Sequence, residues 1–402
     1  MSTLFRTSPW APLLAAGLAL TLSACAPLPQ AVPASSGKAP AAAAATRPAL
    51  RLIGSAAIAP GTEVLGSTFG GISGIDYDAA SGRWLLISDD RSALQPARIY
   101  TATLRYGAQG LETPAITGMV ALRHANGRTY PSPRRPEPGV DVPDAEAVRW
   151  LPGSGGHFLW TSEGDFGRGF GPQLRESRID GSAVRDLPLP ASFQPDGAHG
   201  RGPRSNGTLE GLALAPDGRT LWLSMEMPWR QDGPLPTPAA PGGPVRFTAI
   251  DLATGQPLRQ IAYQPDAVAH ARRIPWGPQM NGVSEILEDG PHHLLVLERS
   301  YSAGAGFAVR LYRIDTRTGS DTLALPALAP GSYATAPKTL VADLATLGAG
   351  TLDNLEGMAW GPPLPGGGRV IVFVSDDNFN PAEVTQFIAA EYLPAPASRP
   401  TP

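Results

Sequence analysis

Asp353-Asn354-Leu355-Glu356-Gly357-Met358-Ala359-Trp360, followed after a Pro- and Gly-rich turn by Val370-Ile371-Val372-Phe373-Val374-Ser375-Asp376-Asp377, is the stretch that decides the fold. It reads as one hairpin: a strand that opens on a carboxylate, a turn, and an aliphatic strand that closes on a carboxylate. Four more stretches repeat it. They are Gly71 to Tyr77 with Arg83 to Asp90, Asp144 to Trp150 with His157 to Glu163, Thr208 to Leu214 with Thr220 to Glu226, and Gly282 to Leu287 with His293 to Arg299. The aligned starting positions Ser73, Glu146, Glu210, Glu285 and Glu356 recur at intervals of 64 to 75 residues. After the first hairpin, further strands over Arg98 to Leu104 and Ile116 to Leu122 complete a four-stranded unit.

Repeats of this size, each with four short strands, spell a β-propeller. The chain has 402 residues, with 46 Gly and 44 Pro, enough length for a large core and enough turn formers for many short strands. The expected fold is therefore all-β, a five-bladed β-propeller. A six-bladed ring is the alternative if a degenerate blade hides in loops such as 130–140 or 228–244. Only one strand, Val384 to Ala390, follows the fifth hairpin, and a strand over Leu50 to Ile58 has no partner at the other end. Pairing the two closes the ring with an N-terminal strand and leaves no sheet edge open.

Charged residues make up 17% of the chain and the formal net charge is −3, which argues against a nucleic-acid surface. The only cysteine, Cys25, excludes an intramolecular disulfide and a cysteine-based metal site. Arg6, the apolar run Pro12 to Leu22 and the sequence Leu22-Ser23-Ala24-Cys25 read as a lipoprotein signal peptide over 1–24 with lipidation at Cys25; an ordinary secretory leader is the alternative. Residues 25–47 are an Ala/Pro-rich tether, 48–394 the propeller domain, and 395–402 a disordered tail. The expected protein is a monomer of the cell envelope, held to a membrane by its lipid anchor only. Ala26 fits sorting to the outer membrane, facing the periplasm or the cell surface.

In a propeller the first strand of each blade lines the central channel and the second runs antiparallel to it. The start of the first and the end of the second therefore meet at one channel mouth. Ser73, Glu146, Glu210, Glu285 and Glu356 form one ring there, and Asp89, Glu163, Glu226, Glu298 and Asp376 a second. Converging carboxylates repel one another unless a cation neutralises them. The all-oxygen donor set suits Ca²⁺, and Mg²⁺ less well. The plainer alternative is that each Glu caps its own blade by bonding neighbouring amides.

The Ser73-Gly74-Ile75-Asp76, Leu209-Glu210-Gly211-Leu212 and Leu355-Glu356-Gly357-Met358 motifs, with the Ser-Asp-Asp strand ends, resemble the phytase-like family, whose members carry the description esterase-like activity of phytase. The resemblance spans residues 48 to 392. A more distant likeness is to the calcium-activated nucleotidases (apyrases), five-bladed propellers with one inner Ser or Glu per blade around a central calcium. That likeness implies Ser73, Glu146, Glu210, Glu285 and Glu356 as metal ligands, with Ser284 competing with Glu285 for the axis.

The reaction that fits such a mouth is metal-assisted hydrolysis of a phosphoester, of phosphatase, phytase or nucleotidase type, on a phosphorylated small molecule. Asp89, Glu163, Glu226, Glu298 and Asp376 are the candidates for catalytic base or second cation site. Arg299, directly after Glu298, and Arg91, just after Asp89-Asp90, are candidate phosphate binders, or else local ion pairs. A serine-esterase triad is disfavoured: Gly71-Ile72-Ser73-Gly74-Ile75 lacks the second glycine of a nucleophile elbow, and no histidine falls in register with Ser73. The competing class is a non-catalytic propeller, stapled by calcium, that binds a ligand or a protein.

Overall fold

The computed structural model describes residues 48–394 except Gln109. The expected signal peptide, Cys25, the tether and the tail lie outside the described residues. Five antiparallel four-stranded sheets form five blades. Blade one comprises Ile72–Asp78, Arg83–Ser88, Arg98–Thr103 and Ala115–Ala121. Blade two comprises Ala145–Trp150, His157–Ser162, Gln173–Arg178 and Ala183–Leu187. Blade three comprises Leu209–Leu214, Thr220–Met225, Val245–Asp251 and Pro257–Tyr263. Blade four comprises Gln279–Glu288, His293–Ser302, Gly306–Asp315 and Lys338–Asp343. Blade five comprises Asn354–Gly361, Arg369–Asp376 and Thr385–Leu393, completed by Ala49–Ile58 from the start of the domain. That last pairing runs antiparallel from Ala49↔Leu393 to Ile58↔Thr385, so the ring closes as the sequence anticipates.

The aliphatic runs are continuous rather than alternating because each sheet is covered on both faces. Successive side chains of a strand point to opposite faces. In blade five, Val370, Val372 and Val374 pack against blade one, while Ile371 and Phe373 pack against blade four. In blade one, Leu86 faces blade five and Leu85 and Ile87 face blade two. The hydrophobic core is thus five slabs, one between each pair of neighbouring blades. The repeating tryptophans fill these slabs: Trp84 and Trp160 are fully buried and Trp150 and Trp222 nearly so.

The repeated motif has a local cause. In every blade the innermost strand carries a β-bulge against the second strand at the same register. The shift falls between Ile72 and Gly74, Ala145 and Val148, Leu209 and Gly211, Val283 and Glu285, and Leu355 and Gly357. In blades one, three and five the residue after the bulge is a glycine, and it lies where the next inner strand comes close. A Cβ on Gly74 would sit 2.4 Å from the Glu146 carbonyl oxygen, and one on Gly357 3.0 Å from that of Ser73. Only glycine lets the backbones approach this closely.

Below the bulges a single cation spans the channel. Arg149, from the inner strand of blade two, donates to the carbonyl oxygens of Ile75 at 2.9 Å, Ile286 at 3.0 Å and Met358 at 3.2 Å, in blades one, four and five. It also forms an ion pair with Glu285 at 2.8 Å.

Candidate functional site

The bulge register settles which side chains face the mouth. The equivalent first-ring positions are Ser73, Glu146, Glu210, Ser284 and Glu356, because in blade four the bulged residue is Ser284. Glu285, expected in that ring, lies instead beneath it. One of its oxygens accepts from the amides of Leu212 at 3.0 Å and Ile286 at 2.9 Å, and Arg149 pairs with the other. Burial still pushes the Glu285 carboxyl up to about 7, against the pull of Arg149 and the two amides.

The second ring slips by one residue in the same blade. Asn354 pairs with Asp376 and Gly282 with Arg299, and the amides of Asp89, Glu163 and Glu226 donate to the carbonyls of Gly71, Asp144 and Thr208. The ring in register is therefore Asp89, Glu163, Glu226, Arg299 and Asp376. Glu298, expected at the mouth, turns to the opposite face of its strand. There it accepts from Tyr263 Oη at 2.5 Å, Lys338 Nζ at 2.6 Å and the Asp266 amide at 2.8 Å. It ties blade three to blade four rather than facing the mouth.

These rings open onto a cavity of about 390 Å³. Nine carboxylates line it: Asp89, Asp144, Glu146, Glu163, Glu210, Glu226, Glu356, Asp376 and Glu383. Among the described residues the one cationic lining group, Arg299, donates to Glu356 at 2.8 Å and to Glu226 at 3.3 Å. It is a counter-ion within the ring before it is anything else. Glu356, Glu226, Glu210 and Asp376 hold its proton against the opposing effect of burial. Arg91 stays at the rim, partly exposed, 3.3 Å from Asp144. Ser73 does not line the cavity.

Two trios have the proximity a metal ion requires, Asp144–Glu146–Glu163 and Glu163–Glu210–Glu226, each with one oxygen per residue within 4.8 Å of the others. Glu163 belongs to both. One of its oxygens, Oε1, accepts from the Gly207 amide at 2.6 Å and from the Thr208 amide, which pins the carboxylate at the border of blades two and three. Glu146 and Glu210 accept no hydrogen bond from the described residues.

The residues fit a hard cation on a second ground. Asn354 Oδ1 and Asp89 Oδ1 line the cavity, are buried and have no hydrogen-bond partner, and buried Ser73 Oγ is likewise unpartnered. Buried acceptors are rarely left orphaned, and an all-oxygen set of this kind is the donor chemistry of Ca²⁺ and Mg²⁺.

Electrostatics give the same picture. Burial, reinforced by Asp144 and Glu226 and opposed by the Thr208 and Gly207 amides, pushes Glu163 up to about 8. Burial raises Glu226 to about 7, with Arg299 pulling down and Glu356 pushing up. Asp144 rises to about 6, again through burial, with Arg91 opposing. Burial and neighbouring carboxylates also raise Asp89, Glu146, Glu210 and Asp376 well above the carboxylate range.

Several lining residues escape the hairpin reading. Asp144 and Asn354 stand two positions before Glu146 and Glu356, an i, i+2 spacing that carries a visible signal. Asn206, Asn378, Asn380 and Glu383 sit in loops, where spacing carries none. Of the five non-glycine residues with positive φ among the described residues, Asn206, Asn378 and Phe379 lie in these mouth loops and Ser92 in the loop after Asp89. Such backbone strain concentrates at functional sites.

Among solved structures, the chain is similar to a PQQ-bound aldose sugar dehydrogenase from Streptomyces coelicolor, at 12% identity and TM-score 0.38, over 87% of this chain and 100% of that one. It is also similar to an exo-β-1,3-galactanase from Phanerochaete chrysosporium, at 10% identity and TM-score 0.41, over 86% of this chain and 64% of that one. A GH62 α-L-arabinofuranosidase catalytic domain from Coprinopsis cinerea aligns at 9% identity and TM-score 0.40, over 86% and 97% of the two chains. No curated protein matches the sequence. The family model described as phytase-like, esterase-like activity of phytase, matches residues 67–379. That span takes in every blade except the two outer strands of blade five, and the chain belongs to the phytase-like family.

Proposed function

We propose that this protein is a divalent-cation-dependent phosphoester hydrolase of the cell envelope, with the acidic mouth as its active site and Ca²⁺ as its cation. The observation that carries the reading is the nine-to-one excess of carboxylates over guanidinium around one cavity, with two trios of oxygens sharing Glu163. Asp144, Glu146, Glu163, Glu210 and Glu226 would hold the metal, with Asn354 Oδ1 as a neutral donor at the side. A cation bound there supplies a Lewis acid for a phosphoryl oxygen and lowers the pKa of water.

The remaining groups divide the other tasks. Asp89 and Asp376 stand outside both trios, and burial, reinforced by neighbouring carboxylates, raises both above the ordinary carboxylate range. They are the groups available to move a proton to or from the reacting oxygen. Arg299, fixed by Glu356 and Glu226, presents a guanidinium in the cavity for a phosphate oxygen. No histidine lines the cavity, so the acid–base work falls to carboxylates. Arg91 at the rim attracts the anionic substrate.

The test is hydrolysis of a panel of phosphate monoesters and diesters by purified residues 26–402, with Ca²⁺, with Mg²⁺ and with chelator. Turnover that requires Ca²⁺ is expected. No metal-dependent turnover on any member would overturn the reading. Stabilisation by Ca²⁺ without turnover would establish the non-catalytic, calcium-stapled propeller in its place. The envelope location is tested separately: Cys25→Ser should release the protein from the membrane fraction.

A further inference from the structure

Blade four differs from the others at the mouth. Its first three strands, Gln279–Glu288, His293–Ser302 and Gly306–Asp315, are ten residues each, against six or seven for the corresponding strands of blades one to three. The second strand therefore runs on past Arg299 and rises beside the cavity. Met280 pairs with Tyr301, and Tyr301 with Phe307, so the three form one row across three strands. All three line the cavity, and the Tyr301 and Phe307 rings lie 4.8 Å apart. Tyr301 is two residues beyond Arg299 on the same face of its strand. Met280 Sδ accepts from Arg299 Nη1 at 3.4 Å, so the apolar row sits directly on the cationic group. The wall on the blade-five side is polar, with Asn378, Asn380 and Glu383 bonded to one another.

We propose that the Met280–Tyr301–Phe307 row is a subsite for the organic group of the substrate, which makes the preferred substrate a monoester of one phosphate with an aromatic or other planar apolar group. This rests on the phosphoester reading above and narrows it. A polyol carrying many phosphates needs several free cationic side chains. The cavity offers Arg299 alone, already paired with two carboxylates. A single phosphate directed at Arg299 and the acidic floor leaves its organic group against the aromatic row. In the hydrolysis, the water oxygen bonds to phosphorus, the bond from phosphorus to the organic oxygen breaks, and a proton from the water passes to that departing oxygen. Stacking on such a pair of rings separates aryl from alkyl ligands by about tenfold.

Calorimetric titration in saturating Ca²⁺ with phenylphosphonate and with methylphosphonate, which cannot be hydrolysed at an ester bond, tests the subsite apart from turnover. Phenylphosphonate is expected to bind about tenfold more tightly than methylphosphonate. The double variant Tyr301→Ala/Phe307→Ala is expected to lose that preference while keeping its Ca²⁺ affinity and its cooperative melt, which shows that the ring is intact. Equal affinities for the two phosphonates in the parent protein overturn the subsite, and so does a preference that survives in the double variant. Tighter binding of inositol hexakisphosphate than of phenylphosphonate overturns it as well. If phosphate esters are hydrolysed but the two phosphonates bind alike, the subsite alone falls. If neither phosphonate binds and no ester is hydrolysed, the phosphoester reading falls and takes the subsite with it.

Discussion

The channel holds two buried charged sites that face each other along one axis and obey different rules. At the floor, Arg149 pairs with Glu285 and donates to carbonyls from three other blades, with the carboxylates of Asp76 and Glu288 also within its field. At the mouth, nine carboxylates share one guanidinium, and buried oxygens of Asn354 and Asp89 have no partner. Charge that the protein neutralises from within is structural, because removing a partner harms the fold itself. Charge that it leaves unbalanced next to an open cavity is a demand on something from outside. The floor should therefore answer to mutation and ignore cations, while the mouth should answer to both.

The largest effect should come from the floor. Arg149→Met leaves Glu285 buried without its partner and three carbonyls without a donor. It should cost about 3–5 kcal/mol in urea unfolding, whether or not Ca²⁺ is present. A Ca²⁺-dependent loss would erase the distinction between the two sites.

Next comes the mouth. Calcium at a hundred times its dissociation constant should stabilise the protein by about 2.7 kcal/mol. Glu163→Gln, which keeps an acceptor for the Gly207 and Thr208 amides but removes the charge common to both trios, should abolish most of that gain. Without calcium the variant should be no less stable than the parent, since it relieves repulsion. Differential scanning calorimetry with and without chelator reads both quantities.

The pH dependence sharpens the comparison further. Asp144, Glu226 and Glu163 have folded-state values of about 6, 7 and 8, all above their ordinary range. A raised carboxyl stabilises the fold while protonated, and that contribution is lost as pH rises through the folded value. The metal-free protein should therefore lose stability between pH 5 and pH 9, by several kcal/mol. Saturating calcium should remove most of the slope. The part due to Glu285, also near 7 but facing Arg149, should persist. A melting temperature that rises with pH in chelator would contradict this.

The smallest effect belongs to the rim. Arg91→Ala, which removes a partly exposed ion pair with Asp144, should change stability by less than about 0.5 kcal/mol. It should raise KM in the phosphate-ester assay with kcat little changed.

The propeller, its five blades and its closing strand were legible because each rests on a pattern with a physical period. Aliphatic runs bounded by turns give strands, and one hairpin repeated five times gives a ring. Four blades of the mouth were legible for the same reason. Blade four was not, because Ser284-Glu285 and Glu298-Arg299 each offer two adjacent polar residues and strand alternation sends one of each pair away from the axis. The register of the bulge, set by packing between neighbouring inner strands, decides which one. Arg149 left a trace that spacing could not interpret: a guanidinium in the middle of an apolar inner strand, where the other blades carry Asp76, Ala213, Leu287 and Ala359. Its partners come from three remote segments, and only the assembled channel brings them together. The loop residues Asn206, Asn378 and Asn380 owe their place to turns without a repeat.

The pairing of Ala49–Ile58 with Thr385–Leu393 also has a temporal consequence. The first strand of the domain to be synthesised is the last to find its place, and until then one side of it is an unpaired edge open to other chains. Contacts this distant in sequence form late and slowly. Asn354, the proposed neutral donor beside the two trios, belongs to the same sheet, so the proposed cation site would be complete only when the whole domain has been synthesised and the ring has shut. Metal uptake would then report completion: a nascent or truncated chain ending before Thr385 should capture calcium poorly, while the finished ring, once loaded, should open more slowly than it closed.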